Sequence, residues 1–113
     1  MSYRDWKFRL EDIAEALDRI FEYTLSLNYA HWVKDQKTID AVVRNLEIIG
    51  EAAANTPDHI QKQFSDVPWY KMKGMRNILI HEYFGLDNEV LWKTIQEDLP
   101  SLKEKIQQAL TKA

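Results

Sequence analysis

The chain contains no cysteine, which excludes a disulfide framework, a thiolate metal site and cysteine nucleophilic catalysis together. Glycine and proline number only three each, so a loop-rich or low-complexity architecture is excluded as well. No apolar run approaches the length of a membrane span, and Met1-Ser2-Tyr3-Arg4-Asp5-Trp6 carries charges where an export signal needs an apolar stretch. The sequence is therefore expected to act in the cytoplasm and away from membranes. An excess of positive charge is also lacking: the net charge is −3, which argues against broad phosphate neutralisation as a way of gripping nucleic acid. There is no G-x-x-x-x-G-K-[ST] loop and no G-x-G-x-x-G, and neither Ser26 nor Ser65 stands in a nucleophile elbow. The three histidines, His31, His59 and His81, share no ligand spacing such as H-E-x-x-H, and the carboxylates do not cluster as hard cations require. No metal and no cofactor is expected.

What is present reads as one all-α domain over residues 1–113, with 45% hydrophobic and 29% charged residues. Trp6, Leu10, Ile13, Leu17, Ile20 and Thr24 alternate steps of four and three, which predicts a helix over residues 4–26 with charged residues on its other face. A short helix or turn near Tyr29–Lys34 leads to a second long helix, near Thr38–Asn55, buried through Ile39, Val42, Val43, Leu46, Ile49 and Ala53. Thr56-Pro57 reads as a helix start, with threonine as the cap and proline at the first position, opening a short helix over 57–64. Val67-Pro68 opens another, running through Trp69, Met72, Met75, Leu79 and Ile80 to about Phe84, with Gly85 as its terminator. Asp87 or Asn88 caps a last helix with the stripe Val90, Leu91, Ile95, Leu99, Leu102, Ile106 and Leu110, which Pro100 should kink. The sum is an antiparallel bundle of four longer helices plus one or two short ones. Four tryptophans, five tyrosines and four phenylalanines are many for this length, and some of these rings are expected to face a partner.

The residues suited to chemistry lie in Arg76-Asn77-Ile78-Leu79-Ile80-His81-Glu82-Tyr83. Arginine is permanently cationic and suits phosphate, whereas histidine exchanges a proton near neutral pH. Lys62, Lys71, Lys73 and Arg76 stand against the single acid Asp66 in the same stretch of chain, a local basic patch in an acidic protein. A purely structural reading also accounts for these types: Arg76 pairs with Glu47 or Glu51, and His81 complements the negative end of its helix. At about 100° per residue, His81 is turned by roughly 140° from Arg76, so one straight helix does not aim both at one phosphate. Either the last turn is distorted before Gly85, or the same helix of a second subunit completes the site.

Gly74–Tyr83 resembles the R-x-x-x-x-H-x-Y signature of the HepT-like branch of the HEPN family, and three further blocks follow that branch in register. These are Arg44–Ala53, Val67-Pro68-Trp69 and Trp92–Pro100. The resemblance implies a homodimeric helical bundle that acts as the toxin of a toxin–antitoxin pair, a metal-independent endoribonuclease whose partner is a minimal nucleotidyltransferase. It makes Arg76 and His81 the catalytic pair, with Asn77 supporting them. Tyr83 is the position that the antitoxin would adenylylate. Glu47 and Glu51 are candidates to orient the pair, and Lys71 and Lys73 to bind RNA. A second class of function uses the same residues without cleavage: an interaction protein that binds the nucleotidyltransferase and serves as its substrate.

Overall fold

The computed structural model describes residues 4–82 and 87–112, with side chains over 6–75 and 87–112. Among the described residues there is no strand. The helices are α1 (Arg4–Thr24), α2 (Tyr29–Trp32), α3 (Gln36–Ala54), α4 (Asp58–Gln63), α5 (Trp69–Glu82), α6 (Asn88–Lys93) and α7 (Leu99–Lys112), with a π-helical turn at Thr94–Asp98 between the last two. Helix α1 packs against α3 and α7, and α3 also packs against α5. The C-terminal half of α7 meets the corner that leads into α5, where Lys105, Ala109 and Lys112 border one cavity with Phe64 and Val67.

The apolar stripes expected on α1 and α3 are the core. Leu10, Ile13, Leu17 and Ile20 of α1 interleave with Ile39, Val42, Val43, Leu46, Ile49 and Ala53 of α3, all buried. Helix α1 ends at Thr24, two residues before its expected end. The buried Thr24 hydroxyl donates to the Ile20 carbonyl at 2.8 Å, and Asn28 then takes the chain into α2 by accepting the His31 N–H at 2.9 Å. Asp35 starts α3, its carboxylate accepting the Thr38 N–H at 3.0 Å and the Thr38 hydroxyl at 2.7 Å. These two hydrogen bonds hold the Asp35 carboxyl below its ordinary pKa, the hydroxyl contributing most.

Thr56 does not cap α4. It is buried and donates its hydroxyl back to Ala52 in the last turn of α3, at 2.8 Å, leaving Pro57 as a cap with no side-chain hydrogen bond. Burial decides this: a hydroxyl sealed against the end of α3 takes the free carbonyl there. The last helix runs without a break from Asn88 to Lys112 through one widened turn. The widened turn at Thr94–Asp98, in which the Leu99 N–H reaches the Thr94 carbonyl, precedes Pro100. Pro100 follows two residues after that turn, so its missing N–H falls where the regular ladder of hydrogen bonds is already interrupted. Leu91, Ile95, Leu99, Leu102 and Ile106 are buried as expected and Leu110 packs against the core, but Val90 is 55% exposed and leaves the stripe. Asp87 caps α6, accepting the Glu89 N–H at 2.8 Å.

The tryptophans work inward. The Trp32 indole N–H donates to the Asn88 carbonyl at 3.0 Å, fixing α2 to the start of α6, and its ring lies 5.5 Å from that of Trp92. Trp69 does the same at the next corner, donating to Phe64 at 3.0 Å. Trp6 packs against Phe64 with ring centroids 6.1 Å apart. Among the described residues, the rings left outside are not tryptophans but Phe8, Tyr23, Tyr29 and, most of all, Tyr70.

Candidate active site

Helix α5 is set by its first two turns. The chain leaves α4 through Val67-Pro68, with the Trp69 N–H bonded to the Val67 carbonyl and the Met72 N–H to that of Pro68. Trp69 and Met72 are buried and Met75 half-buried, so one edge of the helix is glued to the bundle by large side chains three residues apart. The remaining surface of the described part is Tyr70 and Lys71, both exposed, and Lys73 and Gly74, half-buried.

Residues 76, 77 and 81 lie on this helix, which is α-helical without a break through Glu82. The side chains of Arg76, Asn77 and His81 are outside the described residues, as is the whole of Tyr83 and the expected terminator Gly85. The backbone nevertheless bears on one of the two alternatives left by the sequence. With no interruption between 76 and 81, the roughly 140° offset of those positions stands, and it is not relieved by a distorted turn within that span.

Glu47 is half-buried and Glu51 exposed on α3, the helix against which α5 packs. Neither forms an ion pair with a described residue; the three ion pairs there, Arg19–Glu15, Lys93–Glu97 and Lys103–Asp18, all lie away from α3 and α5. One α3 residue not singled out from the sequence is Asn45. It is buried, donates to the Ala41 carbonyl at 2.9 Å and leaves its own Oδ1 without a partner. An unsatisfied buried acceptor costs about 1–3 kcal/mol. The only signal for it was a polar residue between apolar ones in Arg44–Ala53.

The two candidate RNA-binding lysines have different settings. Lys71 projects into solvent. Lys73 is half-buried and its Nζ donates to Oε1 of Gln61 at 3.1 Å. Gln61 is itself fixed, its Nε2 donating to the carbonyls of Thr56 at 2.8 Å and Ala53 at 3.4 Å. That assigns the amide unambiguously, because carbonyls on one side and an ammonium on the other admit only one orientation. His31 and His59 are exposed surface residues. Among the described residues no three histidine or carboxylate side chains come together as a metal site would require, and no helix is long and apolar enough to cross a membrane.

A family model described as ribonuclease HepT-like matches residues 13–109. A protein of Thermococcus cleftensis named "probable ribonuclease HepT" is 49% identical over 104 residues, covering 92% of this chain and 94% of that protein. A protein of Methanocaldococcus jannaschii named as a "putative RNase" is 42% identical over 107 residues, 95% of this chain and 98% of its own length. Another, from Caldanaerobacter subterraneus subsp. tengcongensis and also named as a "putative RNase", is 39% identical over 103 residues, 91% and 92% of the two chains. No solved structure matches the chain.

Proposed function

Because the chain belongs to the HepT-like ribonuclease family, we propose that it is an endoribonuclease that cleaves RNA without a metal ion, with Arg76 and His81 as its catalytic pair. The observation that carries this reading, beside the family, is the unbroken helix under both residues. It fixes them on one rod but on different sides, which suits a cleft shared by the α5 helices of two copies. Each copy would then bring an arginine and a histidine to one phosphate. Cleavage by the 2′-OH needs a base to take its proton and an acid to protonate the departing 5′ oxygen, and two histidines supply both. The five-coordinate phosphate of the transition state gains negative charge, which an arginine stabilises by charge-assisted hydrogen bonds. Asn77 supports the pair, and Glu47 and Glu51 orient it from α3. The products would be a 2′,3′-cyclic phosphate and a 5′-hydroxyl, and end-group analysis of cleaved RNA checks this. A 3′-hydroxyl with a 5′-phosphate would contradict it.

In this reading the protein is the toxin of a toxin–antitoxin pair in the cytoplasm, silenced by a minimal nucleotidyltransferase that transfers AMP to Tyr83. A phosphodiester at that position brings negative charge and a bulky nucleoside next to the catalytic pair, where it competes with RNA for the same donors. Mass spectrometry after incubation with the partner and ATP should show one added AMP on the wild type and none on Tyr83→Phe. An adduct that persists on the phenylalanine variant assigns the modification elsewhere. The net charge of −3 favours a second reading, in which the protein only binds the nucleotidyltransferase and is its substrate. Cleavage assays separate the two, since that reading predicts the adduct with no RNA cleavage by the unmodified protein.

A further inference from the structure

We propose that the corner between α4 and α5 is a subsite for single-stranded RNA, in which Tyr70 stacks on a base and Lys73 holds a phosphate adjoining the one at the catalytic pair. This rests on the reading that the chain acts on RNA and names where the strand runs.

Lys73 carries the first part of the case. A lysine fixed inside a protein is usually paired with a carboxylate, which satisfies its donors and cancels its charge. Lys73 is fixed instead by Gln61, a neutral acceptor whose own amide nitrogen is tied to two backbone carbonyls. Its ion-pair partner is missing among the described residues. The result is a cation that has lost part of its rotamer freedom yet keeps its full charge and spare N–H donors for an external anion.

Tyr70 carries the second part. Its side chain is 88% exposed at the start of a helix whose neighbouring Trp69 is buried, and it makes no ring contact or side-chain hydrogen bond with a described residue. Tyr70 and Lys73 border one open groove of about 510 Å³, together with Gln61, Lys62 and Pro68. Asp58 is the single acid on its wall against the two lysines. An exposed ring among unneutralised cations is the combination that single-stranded nucleic acid uses, the base stacking and the phosphates pairing. An acidic peptide would use the cations but leave the ring without a role.

The register of α5 connects this corner to the proposed chemistry. Positions 70, 74, 77 and 81 of α5 fall within about 60° of one another around the helix, with Lys73 at the edge of that face, whereas position 76 is turned by about 120° from Tyr70 toward the buried Trp69 and Met72. A strand that lies on Tyr70 and Lys73 therefore runs on along this face toward position 81. Gly74, one turn beyond Tyr70 on this face, has nothing within 4 Å of where a Cβ would stand, so the helix surface there is low and open to a backbone that lies along it.

The test is binding of a labelled single-stranded RNA made uncleavable by 2′-O-methyl groups, followed by fluorescence anisotropy over a salt series, with helicity and light scattering recorded for each variant. Tyr70→Ala should weaken binding by about five- to a hundredfold, the range for one stacked base, whereas Tyr70→Phe, which keeps the ring, should stay within about twofold of wild type. Lys73→Ala should lower the slope of log affinity against log salt by about one. Wild-type affinity and slope in both alanine variants would overturn the subsite. So would a Tyr70→Ala variant that binds RNA normally but dissociates into monomers, which would assign the ring to a second copy of the chain. Because the probe cannot be cut, a protein that binds it through Tyr70 and Lys73 but never cleaves natural RNA supports the subsite and sinks the nuclease reading alone.

Discussion

Helices α3 and α5 pack against each other, yet their sequences answer to different demands. Along α3 nearly every position can be explained from inside the molecule: the buried face is aliphatic, Asp35 caps the first turn, and the exposed face is charged. Among the described side chains of α5, Trp69, Met72 and Met75 have such an explanation. Tyr70 is a large ring in solvent, Gly74 gives up helix propensity with no neighbour that requires it, and Lys73 is held without being neutralised. Packing within the chain accounts for none of these three positions.

The strongest way to break the comparison is through the core of α3. Leu46 is fully buried between α1 and its own helix, so Leu46→Ala should cost about 2–5 kcal/mol of unfolding free energy, measured by urea denaturation. A loss below about 1 kcal/mol would mean that α3 is not the packed half. The sharper test is on α5. Gly74 has a helical backbone with no positive φ and open space at its Cβ position, so Gly74→Ala should raise stability by about 0.5–1 kcal/mol. The same variant should weaken whatever lies against this surface, so a gain in stability joined to a loss of RNA affinity is the expected result. The smallest effect concerns Asp35. Its carboxyl has a lowered pKa in the fold through Thr38, so the charged cap contributes above the ordinary carboxylate range and that contribution disappears as pH falls through the lowered value. Asp35→Asn keeps an acceptor but does not titrate. Its Tm deficit relative to wild type should therefore shrink below about pH 4, and a deficit that stays constant to pH 2 would contradict the capping role.

The sequence made the packed half legible because periodicity is a direct record of burial. The stripes of α1 and α3 came out residue by residue, and the Asp87 cap followed from its position before an apolar repeat. The failures were contests that periodicity does not arbitrate. Thr56 had the form of a cap, but its burial turned the hydroxyl back to Ala52. Val90 fitted the stripe by spacing and fell outside it, and the widened turn at Thr94–Asp98 left no mark in the apolar spacing. On α5 the spacing of Trp69, Met72 and Met75 showed which edge is buried. Gln61 as the tether of Lys73 was not legible, because the two meet only when the chain turns the corner from α4 to α5. Arg76 and His81 came from residue chemistry and family pattern, which is why their roles rest on activity and not on packing.

The central claim is that α5 carries metal-independent RNA cleavage through its Arg76 and His81 positions. The direct measurement is the rate at which purified wild type and His81→Ala cut the same single-stranded RNA with a chelator present throughout. The account predicts cleavage by the wild type that the chelator leaves intact, and a fall of about a hundredfold or more in the folded variant, from loss of the proton carrier. Cleavage at the wild-type rate by His81→Ala, or its abolition by chelator, would contradict it.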